Sequence, residues 1–319
     1  MIKPRTLFIG AGNFAVEILK ALHASGIVEL VGIVTQPDKP AGRKQILTPC
    51  PVRELVSSDA DLKMAALFQP EKIKVEAENI LSLTKPELII VADYGQILPK
   101  SIIDYPKYKC LNVHGSLLPD LRGAVPTPMA ILKGYKVTGV SIPIMTPGLD
   151  DGPVLSSREE MVLPDDTTAT LRPRLARIGG ELLVEILPKW LSGEIQAVPQ
   201  DEKMATFTRQ SDIAKDKAQI TKDTKAEIAE RMVRAFSPWP VAWCKIIQGE
   251  KEFRVKIFDV EIYSESLTKA VEIGRFFKVE KKLGLRLIDG ALLIKQIQVE
   301  GKATVDGKQA LYLENSSII

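Results

Sequence analysis

The chain begins with apolar runs set between segments of helical period. Thr6-Leu7-Phe8-Ile9 is almost continuously apolar, as in a strand covered on both faces. Gly10-Ala11-Gly12 follows, and then Phe14, Ile18, Leu19 and Leu22 recur at helical spacing, with Asn13 placed to cap that helix. Val28–Val34 reads as the next strand. Strand, helix and strand within about thirty residues make a βαβ unit, so the sheet is parallel. Further on, residues 50–58, 75–84 and 125–133 predict helices. Residues 63–68, 87–92, 110–114 and 137–145 predict strands. The segment from Pro147 to Gly152 turns sharply, and Val154-Leu155 resumes a strand. Residues 171–191 form a long helix through Leu175, Ile178, Leu182, Leu183 and Ile186, with Pro173 in the first turn, where proline is tolerated.

The pattern then changes. Residues 196–222 are polar with little periodicity and read as a linker between residues 1–195 and 223–319. Residues 224–236 are an amphipathic helix. From Pro238 on come short alternating segments at 242–247, 253–262, 275–279, 283–288 and 291–299, divided by glycines and charged turns. Such a series predicts a small β-barrel.

Composition narrows the class. At 319 residues the chain exceeds one typical core, which agrees with two domains. No stretch approaches the roughly eighteen apolar residues of a membrane span, and Met1-Ile2-Lys3-Pro4-Arg5 has no signal-peptide pattern. Cys50, Cys110 and Cys244 have no CxxC spacing, which argues against a zinc site and a disulfide framework and fits a reducing cytoplasm. Residues 201–319 hold 21 Lys and Arg against 18 Asp and Glu, whereas residues 1–200 hold 22 of each. The mild positive charge therefore sits in the carboxyl-terminal part, where it suits a polyanionic partner.

The chemistry gathers at strand ends. Asn112 and His114 are two apart, on one face of a strand and roughly 7 Å apart along it. A strand has no packing use for an amide beside an imidazole, but the edge of a crevice does. Asp150 lies in the sharp turn further on. An amide donor, an imidazole and a carboxylate suit acyl transfer: Asn112 would stabilise an oxyanion, His114 would add to that stabilisation or move a proton, and Asp150 would orient His114. Ser116 is not evidently paired with the histidine, so direct attack by the acceptor is expected rather than an acyl-enzyme. His23, on the first helix, reads as structural. Residues 35–45 form a polar, proline-broken loop carrying Arg43 and Lys44, two candidate phosphate contacts. A rival reading rests on Gly10, Gly12 and Ala15, which fit G-x-G-x-x-A with Asp38 after the second strand, as in a dinucleotide-binding oxidoreductase.

Asn112-Val113-His114-Gly115-Ser116-Leu117-Leu118-Pro119, Arg122-Gly123-Ala124, Thr138-Gly139-Val140 and Leu149-Asp150-x-Gly152 together resemble the 10-formyltetrahydrofolate-dependent formyltransferases. Thr35-Gln36-Pro37-Asp38, Ala41-Gly42-Arg43 and Phe236-Ser237-Pro238-Trp239-Pro240 are similar to the branch that formylates methionyl-tRNA. The resemblance implies an α/β, Rossmann-like, mostly parallel sheet with helices on both faces, followed by an OB-like barrel that holds tRNA. It places the catalytic set on Asn112, His114 and Asp150, and a folate-binding loop on Ser116, Leu117, Leu118 and Pro119. The pterin would lie along Tyr94, Gly95, Gln96, Ile97 and Leu98, and the tRNA-contacting loop would carry Arg43 and Lys44. The resemblance implies 10-formyltetrahydrofolate as co-substrate, without a metal, and initiator methionyl-tRNA as the macromolecular partner; a cytoplasmic monomer is expected. The chain departs from the family pattern at Gly10–Ala15, at Asp120, where a basic residue is usual, and at Val125-Pro126-Thr127-Pro128. Other readings are an amino sugar or water as acceptor, or a nucleic-acid-binding protein without catalysis, which would leave Asn112, His114 and Asp150 unexplained.

Overall fold

The structure is a computed structural model that describes residues 3–42, 45–248, 251–263 and 271–319. The first part of the chain runs β1 (Arg5–Gly10), α1 (Asn13–Ser25), β2 (Glu29–Val34), β3 (Lys39–Ala41), β4 (Ile46–Thr48), α2 (Pro51–Ser58), β5 (Ala66–Phe68), α3 (Ile73–Thr84), β6 (Leu88–Ala92), α4 (Lys100–Ile103) and β7 (Cys110–Asn112). Then come β8 (Arg122–Gly123), α5 (Pro126–Leu132), β9 (Val137–Pro143), β10 (Val154–Met161), α6 (Thr168–Ser192) and β11 (Phe207–Thr208). The remainder holds α7 (Ala226–Ala235), β12 (Trp243–Gln248), β13 (Lys251–Tyr263), β14 (Phe276–Val279), β15 (Lys282–Arg286), β16 (Ala291–Val299) and β17 (Val305–Asp306). The chain divides into two compact units. One is Met1–Gly123, Val137–Met161 and Arg172–Phe207; the other is Ala124–Lys136, Val162–Leu171 and Thr208–Ile319.

The first unit is built on a parallel sheet in the order β5-β2-β1-β6-β7. Chain order runs outward from β1 in both directions, so a crevice opens at the carboxyl ends of the central strands. One face buries Leu7, Ile9, Val34, Ile89 and Val91 against Ile73, Ala77 and Ile80 of α3 and Ile102 and Ile103 of α4. The alternate residues, such as Phe8 and Ile90, face the other way, where α1 buries Phe14, Ile18, Leu19 and Leu22. Gly179 of α6 meets Ile18, Val113 and Val140 too closely for any side chain larger than hydrogen. β9 and β10 pair antiparallel, and bridges Leu111–Ile144 and His114–Ser141 join β9 to the β7 edge.

Several local expectations are corrected. Asn13 is the first residue of α1, Gly12 holds the cap position, and no side chain caps the helix. The 35–45 loop includes the β3 strand, which pairs with β4 in an antiparallel hairpin. Residues 62–64 form a short 3-10 turn, so β5 begins only at Ala66. β7 stops at Asn112, because His114 leaves the sheet register to bond Ser141. α6 starts at Thr168, which puts Pro173 inside the helix rather than in its first turn. Pro126 and Pro128 open α5, where backbone N–H groups lack helical partners in any case.

The second unit packs α7 beside α5 and against an antiparallel sheet in the order β12-β13-β16-β15-β14, with β17 on β16. α7 buries Ala226, Ala229, Met232 and Val233 at helical spacing. The long β13 slips register between Ile257 and Val260, a bulge of the kind that bends a strand. Residues 315–319 then bridge both margins of the sheet: Ile318 pairs with Ile246 of β12, and Ser317 with Arg275 next to β14. The result is a curled antiparallel half-barrel, its main strands at the five predicted segments. No described helix is long and apolar enough to cross a membrane. All three cysteines are free thiols; burial pushes Cys244 up to about 12 and Cys110 higher still.

Candidate active site

The site forms where β7 ends. Beyond Asn112 the backbone of His114 exchanges two hydrogen bonds of 2.9 Å with Ser141 of β9, which fixes the imidazole at the sheet edge. His114 is 5% exposed. Asp150 arrives from the turn between β9 and β10, in a left-handed backbone conformation (φ 50°). Its carboxylate accepts from Asn112 Nδ2 at 3.2 Å and from the Gly123 N–H at 2.8 Å. His114 Nδ1 lies 3.6 Å from Asp150 Oδ2, close but beyond hydrogen-bond length. His114 Nε2 lies 3.1 Å from the Leu121 carbonyl. Both ring nitrogens thus face acceptor oxygens, and Leu121 presents its carbonyl from a left-handed conformation of its own (φ 56°). Conformations of this kind in non-glycine residues persist where the surroundings hold them. Asn112, His114 and Asp150, separate in sequence, form one polar cluster.

The loop after His114 is tightly tied. Ser116 Oγ donates to the Asp120 carbonyl at 2.6 Å, so the hydroxyl turns into the loop and away from the imidazole. Ser141 Oγ accepts from the Leu118 N–H and donates to the Ser116 carbonyl. Leu117 lies against Gly139, where a Cβ would come within 2.5 Å of it. Pro119 follows a cis peptide bond and accepts from the Thr206 N–H. Asp120 accepts from the Leu121 N–H and from the Thr206 hydroxyl, so the carboxylate found here closes the loop.

The five residues after β6 divide between structural and exposed roles. Gln96 is spent on structure, accepting from the Ile73 N–H and donating to the Pro70 carbonyl. Leu98 is in the core, and Ile97 is 91% exposed. Gly95 leaves room for the Gln36 amide. The Tyr94 hydroxyl is buried without a partner among the described residues, and burial, then the charge of Glu76, pushes its pKa up to about 12. At the first turn, a Cβ on Gly10 would stand 2.7 Å from the Ala92 carbonyl. One on Gly12 would stand 2.0 Å from the Asp93 carboxylate, which pairs with Arg172 at 2.7 Å. These glycines are therefore explained by packing, and an anion already lies against the start of α1. Arg43 and Lys44 fall outside the described residues. The adjoining β4 leaves Ile46 and Leu47 largely exposed. Away from the site, His23, Asp59 and Asp61 bring possible metal donors within 4.8 Å of one another, with Asp59 Oδ1 already accepting two backbone N–H bonds.

The pattern of the formyl transferase family matches residues 4–187, and that of the formyl transferase C-terminal domain matches residues 212–313. The chain belongs to the formyltransferase family. Among relatives of this formyltransferase, the methionyl-tRNA formyltransferase of Bacillus velezensis is 38% identical over 95% of this chain and 93% of its own length. That of Sulfurihydrogenibium is 39% identical over 96% of each. Two crystal structures share the fold. WlaRD, a sugar 3N-formyl transferase, has a TM-score of 0.65 at 16% identity, covering 95% of this chain and all of that one. HypX from Aquifex aeolicus, solved with tetrahydrofolic acid, has a TM-score of 0.64 at 18% identity over 97% of this chain and 47% of that one.

The formyltransferase also holds residues at this site that local reading passed over. Arg122 is among the largest fully buried side chains. Its guanidinium meets Glu202 at 2.7 and 2.9 Å and the Gln200 side-chain oxygen Oε1 at 2.9 and 3.0 Å. The hydrogen bond with Glu202 raises the Arg122 pKa, and the same bond holds Glu202 below the usual carboxylate range. Gln200 and Glu202 lie in a polar stretch without periodicity, which carries no local sign of either contact.

Proposed function

We propose that the chain transfers the formyl group of 10-formyltetrahydrofolate to the α-amino group of methionyl initiator tRNA. The observation that carries this reading is the convergence of Asn112, His114 and Asp150 at the end of β7, in a chain whose relatives over nearly its full length are methionyl-tRNA formyltransferases. The free amine attacks the formyl carbon. A new C–N bond forms, and the carbonyl π electrons move to oxygen. The Asn112 amide has two N–H donors and spends one on Asp150, so the other is left for the oxyanion. His114 donates to the same oxygen or carries the ammonium proton to N10 of the departing tetrahydrofolate. Asp150 holds Asn112 and faces the imidazole with its negative charge. Collapse restores the carbonyl and breaks the bond to N10, with no acyl-enzyme.

In this reading the Ser116–Pro119 loop and the Tyr94–Leu98 segment receive the folate. Arg43 and Lys44 meet the acceptor end of the tRNA, and the barrel holds its body. Residues 1–195 carry the chemistry, 196–222 connect, and 223–319 bind tRNA, in a monomer of the cytoplasm. The mild excess of positive charge in residues 201–319 supports a polyanionic partner. The test is formyl transfer from 10-formyltetrahydrofolate to methionyl-tRNA, with uncharged tRNA, free methionine and an amino sugar as controls. Transfer to methionine or the sugar at the rate seen with methionyl-tRNA overturns the choice of acceptor.

A further inference from the structure

Gln200 makes four hydrogen bonds, and both ends of its amide are in use. Nε2 donates to the Asp150 carbonyl at 2.8 Å and to the Gly152 carbonyl at 2.6 Å. Oε1 accepts from Arg122 Nε at 3.0 Å and from a terminal guanidinium nitrogen at 2.9 Å. The reverse amide orientation would set oxygen against two carbonyls and NH2 against a guanidinium, so only one orientation is compatible with these neighbours. Arg122 is anchored in turn by Glu202 on its far side and by its backbone N–H to the Thr206 carbonyl. The next residue, Gly123, gives its N–H to the Asp150 carboxylate. A closed ring results: Asp150 is joined to β8 through its side chain at Gly123 and through its main chain at Gln200 and Arg122.

The ring meets a need that the turn cannot meet locally. Asp150 has left-handed backbone, and its neighbour Leu149 is exposed, so nothing apolar clamps the turn from that side. Gly152 lies so close to Ile144 that a Cβ would stand 1.8 Å from its carbonyl oxygen. That contact fixes the far end of the turn but leaves the orientation of Asp150 open. We propose that Gln200 is a positioning residue for formyl transfer: it holds the main chain of Asp150 so that the carboxylate stays on Asn112 and His114. This rests on the reading of Asp150 as part of the catalytic set. Gln200 does not touch the reacting atoms and acts through Asp150 alone.

Gln200→Glu tests this. The carboxylate keeps acceptors for Arg122 and removes both donors from the Asp150 and Gly152 carbonyls. The expected result is a kcat lower by about tenfold to a hundredfold, the scale of a small misplacement at a reacting centre. KM for both substrates should stay near wild type; the thermal midpoint falls, because a carboxylate oxygen now faces two carbonyls, and kcat is read well below that midpoint, where the variant is folded. In an Asp150→Asn background the same substitution should produce no further loss, because a positioning residue has nothing left to position. Unchanged kcat in Gln200→Glu beside an impaired Asp150→Asn overturns the proposal and leaves the catalytic reading standing. Losses that multiply in the double variant also overturn it, as does a fall in thermal midpoint that accounts for the lost activity. Wild-type turnover in Asp150→Asn removes the catalytic reading itself, and the proposal with it. Should Gln200→Glu fail to fold, the exposed Glu202→Gln takes its place. It releases the far side of Arg122, and its expected kcat loss is smaller and again absent when Asp150 is replaced; unchanged kcat there overturns the proposal.

Discussion

The connections that follow β2 and β7 leave the same carboxyl edge of one sheet and are built in opposite ways. After β7, His114, Ser116, Leu121 and Arg122 are all buried. Their polar atoms are bonded to Ser141, Asp120, Gln200 and Glu202. After β2 only Thr35 is fully buried among the described residues, and β4 presents Ile46 and Leu47 at 62% and 64% exposure. The hairpin is held by pairing of β3 with β4. The difference separates two demands on a loop. Groups that act on a reacting carbon must be held within a fraction of an ångström, which takes converging hydrogen bonds. A loop that meets a large partner needs exposure.

The largest effect should come from breaking the buried connection. His114→Ala or Asn112→Ala is expected to lower kcat by a hundredfold or more, roughly 3 kcal/mol, as for loss of one oxyanion donor. Tetrahydrofolate binding, followed by calorimetry, should survive. Near-normal turnover in both variants would take the chemistry away from this loop.

The exposed connection should respond differently. Arg43→Ala should raise KM for methionyl-tRNA by about tenfold. Ile46→Ser with Leu47→Ser should do the same with stability changed by less than about 0.5 kcal/mol, as usual for exposed positions. Rising salt should depress kcat/KM more steeply in wild type than in Arg43→Ala. Equal salt slopes would make Arg43 an ordinary surface charge.

The segment after β6 is intermediate. Tyr94 carries a buried hydroxyl with no partner among the described residues. Tyr94→Phe in the folate-free protein should therefore be neutral or stabilising by up to ~1 kcal/mol, because an unsatisfied group is removed. Clear destabilisation in thermal melts would show that the hydroxyl has a partner.

The smallest effect concerns pH. Glu202 has its folded-state pKa lowered by the Arg122 hydrogen bond. Its contribution is therefore present above the unfolded carboxylate pKa and is lost as pH falls through the depressed folded value. The gap in melting temperature between wild type and Glu202→Gln should be full at neutral pH and should shrink below about pH 4. Because Glu202 is an exposed partner, the gap is expected to be small. A gap that widens in acid would reverse the assigned sign.

What could be read in advance followed the reach of each signal. Residues 291–299 marked β16 to the residue, because an apolar segment bounded by Asp289-Gly290 and Glu300-Gly301 reads as a strand between turns. The Asn112/His114 pair was conspicuous because its polarity contradicts the apolar strand that bears it. Asn13 misled, since a good capping residue does not decide the cap when the backbone already turns at Gly12. The β3 strand was hidden because short segments with prolines and charges resemble any loop. Gln200 and Glu202 gave no warning: their partners lie 50, 48, 78 and 80 residues away, and nothing in their own neighbourhood records those contacts.

By itself the sequence determined the periodicities, the turn residues, the uneven charge and the family's ordered motifs. Each is either local or a string that needs no folding to be read. Only the tertiary structure decided that Asp150 meets Asn112 and Gly123 with its two carboxylate oxygens, that His114 faces the Leu121 carbonyl, and that Arg122 is buried against Gln200 and Glu202. The physical reason is that a buried polar group must find its partner wherever packing brings one within about 3 Å, and that distance is set by the whole fold rather than by spacing along the chain.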